Sequence, residues 1–372
     1  MAGYDRNLPC WCGSGNKYKR CHLGRSERAP LQLSESLEAF HRIANEGSCL
    51  HPEASANTCS GGAIRAHTVR RAADLAPMAR NGHVYRLSAE MKDILATDGR
   101  PQPTLVGINK ASTFWGFCAH HDSTTFRPIE CETLVPTPEQ RFLLAYRPLV
   151  KELHAKLQAL KVGELMRSAD RGRSLPHQVQ LQTKVHQFLT GTGTAARDLQ
   201  AAKQALDNQL LARDFSRVES LVLRFSRAPT AVCSGCVQPT FSFTGTRLQD
   251  LRALDVQLDL LSFALVRDGA AGLALFTWLA ERGSACRALM DSLRALDQSL
   301  IPDAIFRFAC SEFENTFVEP HWWENLSSAH RGYVHQLFMN GVRTDVPPDP
   351  LSLTDRGHHI VDWTLEASVP YY

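Results

Sequence analysis

The segment that decides how the start of this chain folds runs from Pro9 to His22 and reads Pro-Cys-Trp-Cys-Gly-Ser-Gly-Asn-Lys-Tyr-Lys-Arg-Cys-His. It contains four soft metal ligands at C-x-C-x8-C-H spacing, namely Cys10, Cys12, Cys21 and His22. Two cysteines one residue apart can occupy two corners of a tetrahedron if the chain turns tightly after them, and the Gly-Ser-Gly run favours such a turn. The Cys-His pair then completes the shell and leaves no corner vacant. The segment therefore predicts a closed, structural zinc site that performs no chemistry.

The N-terminal region around this segment is basic. The first 28 residues of the chain carry six lysines and arginines against Asp5 and Glu27, an excess of four positive charges. Residues 8–24 resemble the SEC-C motif, which is named for the zinc-binding tail of the SecA translocation motor. The resemblance implies contact with a partner protein or with nucleic acid. Because the motif is appended to many unrelated proteins, it implies almost nothing about activity.

Composition limits the remaining possibilities. The 372 residues are 44% hydrophobic, which is enough for a sizeable core and for two or three folded units. The formal net charge of +3 is nearly balanced, so any surface for nucleic acid must be local. No run approaches about eighteen consecutive apolar residues, and the N-terminal sequence lacks the apolar core of a signal peptide. We expect a soluble, cytoplasmic protein with no membrane partner, whose eleven cysteines are metal ligands and free thiols.

A second set of ligand types lies further along the chain. Cys49 and Cys59 are followed much later by a Cys-x-x-His pair, Cys118 and His121. Together they can form a closed zinc shell, provided that the nine residues between the first two cysteines fold back. The alternative is that these residues are buried thiols and surface histidines. The sequence thus predicts one or two structural zinc sites.

Between these pairs, a glycine turn at Gly61-Gly62 precedes an alternating run that ends near His67. A histidine at the end of such a strand, beside a zinc-clamped hairpin, resembles the active site of HNH (ββα-metal) nucleases. The resemblance implies that His67 is the general base and that Asp122 holds Mg²⁺ or Mn²⁺ at the scissile phosphate. The arginines that flank this histidine suit phosphate oxygens: Arg65, Arg70 and Arg71.

The run also departs from the HNH pattern. Ala66 stands where these enzymes commonly have an acidic residue, the second pair is Cys-x-x-His instead of Cys-x-x-Cys, and fifty-three residues separate His67 from His121. An inactive relative, or a treble-clef-like zinc fold without a catalytic role, fits these departures.

Apolar periodicity organises the rest of the chain. Stripes at spacings of three and four predict a helix from about residue 138 to 160 and another through 199–210, which together suggest a helical hairpin. Alternating runs predict strands at 221–223 and 241–243, and a hairpin turns around Asp268-Gly269. The last thirty residues are rich in Pro and Asp and read as irregular. We predict an α+β protein divided into a zinc module at 1–28, an HNH-like zinc-clamped unit (ββα or treble-clef-like) at 34–135, and a helical hairpin with a mixed α+β region at 138–372.

Two functions follow from these patterns. The first is a metal-dependent endonuclease acting on nucleic acid, which the HNH resemblance associates with defence against phage. The second is a non-enzymatic, zinc-stabilised adaptor that binds a protein or nucleic-acid partner through its basic N-terminal module. The two differ in one requirement, since a nuclease needs His67 and Asp122 to face a common open cleft.

Overall fold

The computed structural model describes residues 4–88, 97, 101–342 and 349–371. Its helices are α1 (Tyr18–Cys21), α2 (Leu33–Ala44), α3 (Ala76–Met78), α4 (Ala119–Thr125), α5 (Arg127–Glu130), α6 (Pro138–Met166), α7 (Leu175–Ala212), α8 (Ser284–Arg294), α9 (Ile301–Glu312), α10 (Pro320–Asn325) and α11 (Ser328–Val342). Its strands are β1 (Ala63–His67), β2 (His83–Arg86), β3 (Thr104–Gly107), β4 (Thr113–Cys118), β5 (Val218–Phe225), β6 (Ala231–Val237), β7 (Leu261–Asp268), β8 (Ala271–Leu279), β9 (Thr316–Val318) and β10 (Leu365–Tyr371). Helices and strands are both abundant, so the predicted α+β class is confirmed.

The chain divides into two compact units, each built from two segments. The first unit combines Met1–Gly47 with Leu153–Gln200, and the second combines Ser48–Glu152 with Ala201–Tyr372. The residues of α6 and α7 are divided between the units. The predicted division into segments 1–28, 34–135 and 138–372 stays a prediction.

In the first unit, the end of α6 packs against the start of α7. Gly163 of α6 lies so close to α7 that a Cβ atom placed on it would come within 2.5 Å of the Leu189 side chain. A Cβ atom placed on Gly193 of α7 would lie 4.0 Å from the Leu160 side chain of α6. Residue numbers therefore rise along one helix as they fall along the other. This antiparallel contact agrees with the predicted helical hairpin. A turn over residues 167–174 joins the two helices.

The second unit is built on a large sheet. In the described residues, eight strands pair antiparallel in the order β10-β5-β8-β7-β6-β9-β2-β3. Buried side chains of the central strands share one hydrophobic core with α8, α9 and α11. The predicted hairpin at residues 258–279 is confirmed, because β7 and β8 pair across a turn in which Gly269 has a φ of +60°.

Two sequence expectations are corrected. The C-terminal residues were expected to be irregular, but β10 adds to the edge of the sheet by pairing with β5. Residues 241–243 form no strand, and only Phe241 makes an isolated bridge, to Arg247. The cause is local: the Ser242 hydroxyl accepts hydrogen bonds from the backbone N–H groups of Thr244 and Thr246, which closes a turn.

A smaller two-stranded sheet also belongs to the second unit. β1 pairs antiparallel with β4, with Ala63 opposite Cys118 and His67 opposite Thr113, and α4 follows β4 directly. The assignment of this segment to an HNH ββα or treble-clef unit stays a prediction. None of the helices formed by the described residues combines the length and the apolar character needed to span a bilayer.

Candidate metal centres

The first cluster brings its four predicted ligands together. The thiol sulfurs of Cys10, Cys12 and Cys21 and a ring nitrogen of His22 all lie within 4.8 Å of one another. His22 Nδ1 is 3.2 Å from the Sγ atoms of both Cys10 and Cys21, and Cys12 Sγ is 3.6 Å from Cys21 Sγ. Four ligands at about 2.0–2.3 Å from a tetrahedral zinc must stand at such separations. The first cluster is therefore compatible with a structural zinc ion.

Local turns produce this convergence. Gly13 and Gly15 both have a φ of +73°, in the left-handed region that glycine adopts without strain. The Gly13 N–H donates to Cys10 O (3.2 Å), and the Cys10 N–H donates to Asn16 O (2.7 Å). The chain thus reverses immediately after the two cysteines, as the spacing predicted.

The imidazole of His22 has a partner outside the segment. Its Nε2 lies 2.8 Å from Asp170 Oδ2, in the turn between α6 and α7. Asp170 is fully buried and also accepts hydrogen bonds from Arg25 Nε and from Gln182 Nε2 (2.7 Å). Burial acts to raise the pKa of this carboxyl, but the hydrogen bonds from His22, Gln182 and Arg25 prevail and lower the pKa. The sequence analysis missed Asp170, because a partner 148 residues away leaves no spacing signal.

The second cluster converges equally well. The ligand atoms of Cys49, Cys59, Cys118 and His121 lie within 4.8 Å of one another. His121 Nδ1 is 3.4 Å from Cys49 Sγ, 3.7 Å from Cys59 Sγ and 3.3 Å from Cys118 Sγ. This cluster too is compatible with a structural zinc ion.

The loop between the first two cysteines folds back, as a closed shell requires. The Thr58 hydroxyl donates to Glu53 O (2.5 Å), and the Cys59 N–H donates to Ser55 O (3.1 Å). Leu50, next to the first cysteine, donates its N–H to Gly116 O (2.8 Å) on β4. The loop is thus anchored beside the strand that carries the second pair.

Cys118 is built into the end of β4 and the start of α4. It is fully buried, it precedes the first residue of the helix, and its sulfur accepts the N–H of His121 (3.5 Å). Burial acts to raise the pKa of this thiol, but hydrogen bonds from the backbone at His121 and Ser60 prevail and lower the pKa to about 6. Burial raises the pKa of Cys49 to about 11 and that of Cys10 to about 12. A zinc ion must therefore displace protons from Cys10 and Cys49.

A third group of ligand types, formed by His51, Glu53 and His121, is not arranged for a metal ion. The rings of His51 and His121 stack with centroids 4.2 Å apart and an angle of 11°. Their lone pairs lie in nearly parallel planes, so they cannot point at one ion about 2.0 Å from both nitrogens. Burial and the neighbouring charges of His121 and Lys203 lower the pKa of His51 to about 4. A neutral ring therefore covers the second cluster.

His67 ends β1, Asp122 lies in α4, and burial raises the pKa of the Asp122 carboxyl. Burial and the charge of Arg147 lower the pKa of His67, and its Nε2 donates to Ile108 O (2.9 Å), which leaves Nδ1 with the lone pair. Asp122 Oδ1 accepts a hydrogen bond from Arg147 Nη2 at 3.4 Å. Arg147 is buried and also donates to Glu130 Oε1 (2.5 Å). The groups of metal-ligand types within the described residues include neither His67 nor Asp122.

The three arginines that flank His67 occupy different environments. Arg65 is exposed, and its guanidinium lies 5.3 Å from the ring centre of Trp115. Arg71 is exposed and donates to Asn109 Oδ1 (3.1 Å). Arg70 is 4% exposed and forms a bidentate pair with Asp74. Its charge is already paired, so this position does not favour the predicted phosphate contact for Arg70.

Comparison with known proteins bears on the first cluster alone. Residues 6–24 match the family model of the SEC-C motif. The N-terminal segment carries a zinc-binding SEC-C motif. No curated protein and no solved structure matches the chain. We call residues 6–28, which contain this match, the SEC-C module, while the HNH resemblance of residues 49–130 stays a prediction.

Proposed function

We propose that this chain is a zinc-stabilised, non-enzymatic binding protein in which both Cys/His clusters are closed structural zinc sites. The observation that supports it most is the convergence of three thiols and one imidazole nitrogen in each cluster. With four protein ligands present, neither site has a corner left for water or a substrate. Zinc here contributes folding free energy, and binding to partners falls to the protein surface.

The surface that we propose for binding is the exposed surface of the SEC-C module. Four cationic side chains are exposed there: Arg6, Lys17, Arg20 and Arg28. Leu8 and Leu23 of the same module are also exposed, by 49% and 44%. A basic surface with apolar side chains suits an acidic partner, either a nucleic acid or an acidic protein segment.

The experiment has two parts. Elemental analysis of the purified full chain should find two zinc ions per chain. Fluorescence anisotropy with labelled RNA and DNA should show binding that weakens with salt and that falls in the variant Lys17→Ala/Arg20→Ala. A matched variant, Arg252→Ala/Arg282→Ala, removes two cations from the second unit and should leave binding unchanged. Absence of zinc contradicts the proposal, and loss of binding in both variants contradicts the proposed surface.

A second candidate, the metal-dependent endonuclease, is supported by one observation. Burial lowers the pKa of His67, and its Nε2 donates to Ile108 O (2.9 Å), which leaves an Nδ1 lone pair as a general base requires. The test is cleavage of plasmid and RNA with Mg²⁺ or Mn²⁺, comparing the wild type with His67→Ala and with His83→Ala, which changes an exposed histidine. A nuclease predicts that only His67→Ala abolishes cleavage while its zinc content is retained. No cleavage by the zinc-loaded wild type contradicts this candidate.

A further inference from the structure

A buried carboxylate faces the side of the His22 ring that points away from the cysteines. Because Nδ1 of this ring meets Cys10 and Cys21, the remaining nitrogen, Nε2, must carry the proton. That nitrogen lies 2.8 Å from Asp170 Oδ2, and Asp170 is fully buried. A carboxylate in this position fixes the tautomer of a metal-binding histidine and raises its basicity.

We propose that Asp170 is the outer-shell carboxylate of the SEC-C module and that it couples zinc binding to the folding of the turn at residues 167–174. Asp170 is a positioning residue, since it acts through His22 and contacts no ligand position itself. The inference rests on the zinc site proposed above. It extends that site to a residue outside the motif, contributed by the helical hairpin of the first unit.

The surrounding contacts hold Asp170 in place and tie the module to the turn. Arg25 donates from Nε to Asp170 and from Nη2 to Arg167 O. Arg167 also contacts the module, because its Nη1 donates a hydrogen bond to Cys12 O (3.0 Å). Gly172 N–H donates to Arg25 O (3.1 Å), so the backbone of the turn is bonded to the module as well.

Linkage then works in both directions. A zinc ion bound at Nδ1 withdraws electrons from the imidazole, so the Nε2–H group becomes a stronger donor to Asp170. Conversely, an Asp170 side chain held in place by the folded turn favours the ring orientation that the metal needs. By thermodynamic reciprocity, folding of the turn makes the free energy of zinc binding more favourable by the same amount by which zinc binding increases the stability of the folded turn.

The first test is the variant Asp170→Asn in the full chain, with the exposed Asp291→Asn as the matched control. Chelator competition should show the affinity of one zinc site reduced by about 10–100-fold and the other unchanged. Substitution with ¹¹³Cd makes the assignment, because only the resonance of the SEC-C module should shift. Asp291→Asn should match the wild type in both measurements.

Unchanged affinity at both sites contradicts the inference while leaving the zinc sites intact. An equal loss at both sites contradicts it as well, because that pattern indicates general destabilisation. A wild type that binds no zinc in the module overturns the proposed zinc site together with this inference.

The second test needs no substitution and so remains decisive if Asp170→Asn fails to fold. Hydrogen exchange of the wild type is followed with zinc present and after chelation. The Gly172 amide, which is bonded to Arg25 O, should lose protection by about tenfold or more when zinc is removed. Equal protection with and without zinc contradicts the coupling.

Discussion

The two Cys/His clusters present the same ligands, three thiols and one imidazole, but support the imidazole differently. In the SEC-C module, His22 donates from Nε2 to a carboxylate 148 residues further along the chain. In the second cluster, His121 lies flat against the ring of His51, and within the described residues its Nε2 forms no hydrogen bond. Ligand spacing therefore determines which atoms meet a metal, whereas the support of those atoms comes from elements that spacing does not reveal.

The clusters also differ in how they are connected to the surrounding structure. Cys118 is the last residue of β4 and the N-cap of α4, and its sulfur accepts a hydrogen bond from the helix backbone. The SEC-C module is held mainly through polar contacts with a single turn of the first unit. We expect the loss of each metal to have consequences of different size.

The largest effect is expected for Cys118→Ser. The change removes one ligand and leaves a hydroxyl in a fully buried position, so the chain should lose one zinc ion and at least ~4 kcal/mol of stability. Urea denaturation and elemental analysis measure both effects. The control is Cys131→Ser, which changes an exposed cysteine and should retain two zinc ions. Two zinc ions and an unchanged urea midpoint in Cys118→Ser are incompatible with the second site.

A smaller and more local effect is expected for Cys12→Ser. Loss of zinc from the SEC-C module should increase hydrogen exchange by about tenfold or more in residues 6–30 and 167–174. Strands β5 to β8 should keep the protection of the wild type. Faster exchange throughout the sheet would show that the first cluster supports the whole chain, which contradicts a local role for its zinc ion.

Zinc binding by both clusters should depend on pH. Burial raises the pKa of Cys10 to about 12 and also raises that of Cys21, so at least two thiols of the first cluster release protons to zinc. In the second cluster, burial raises the pKa of Cys49 to about 11, while hydrogen bonds lower that of Cys118 to about 6. In the first cluster, hydrogen bonds from Ser14 likewise outweigh burial and lower the pKa of Cys12. Protons compete with the metal, so affinity falls as pH falls, by about tenfold per pH unit for each proton displaced.

Chelator competition between about pH 7 and 8 measures this slope. The first cluster should lose affinity by at least about a hundredfold per pH unit. The variant Cys118→Ser keeps only the first site and Cys12→Ser keeps only the second, so each variant gives the pH dependence of one site. An affinity of the first cluster that does not change with pH would contradict the protonation states given above.

The smallest effect concerns the turn that contacts the SEC-C module. Gly172 has a φ of +72°, and a Cβ on it would lie 2.9 Å from Pro30 Cγ, so Gly172→Ala should destabilise by ~1–2 kcal/mol. Gly191 lies inside α7 with no atom within 4 Å of its Cβ position, so Gly191→Ala should stabilise by up to ~1 kcal/mol. Thermal unfolding of the two variants shows whether each change lowers or raises the unfolding temperature. A change in the same direction for both would argue against the close contact at residue 172.

Several features could be predicted because they depend on short stretches of sequence. The C-x-C pair with its turn glycines, the Cys-x-x-His pair and the hairpin at Asp268-Gly269 each carry their own local signal. The stripes of α6 and α7 were equally visible, although both helices extend beyond the predicted ranges. In each case the residues that determine the structure lie within a few positions of it.

Other features depended on contacts that the sequence does not display. Asp170 reads as one polar residue in a connecting turn until the fold brings it to His22. The pairing of β10 with β5 joins segments about 145 residues apart, so no local pattern predicts it. Arg70 looked like a phosphate contact beside His67, yet Asp74, one helical turn later, pairs with it in the interior.

The central claim is that both clusters are closed zinc shells made only of protein ligands. X-ray absorption at the zinc edge of the full-length protein tests it most directly. We predict two zinc ions per chain with an average shell of three sulfurs at about 2.3 Å and one nitrogen at about 2.0 Å, with no oxygen. A shell that contains a water oxygen, or fewer than three sulfurs per zinc, would contradict the claim and point to an open, reactive site.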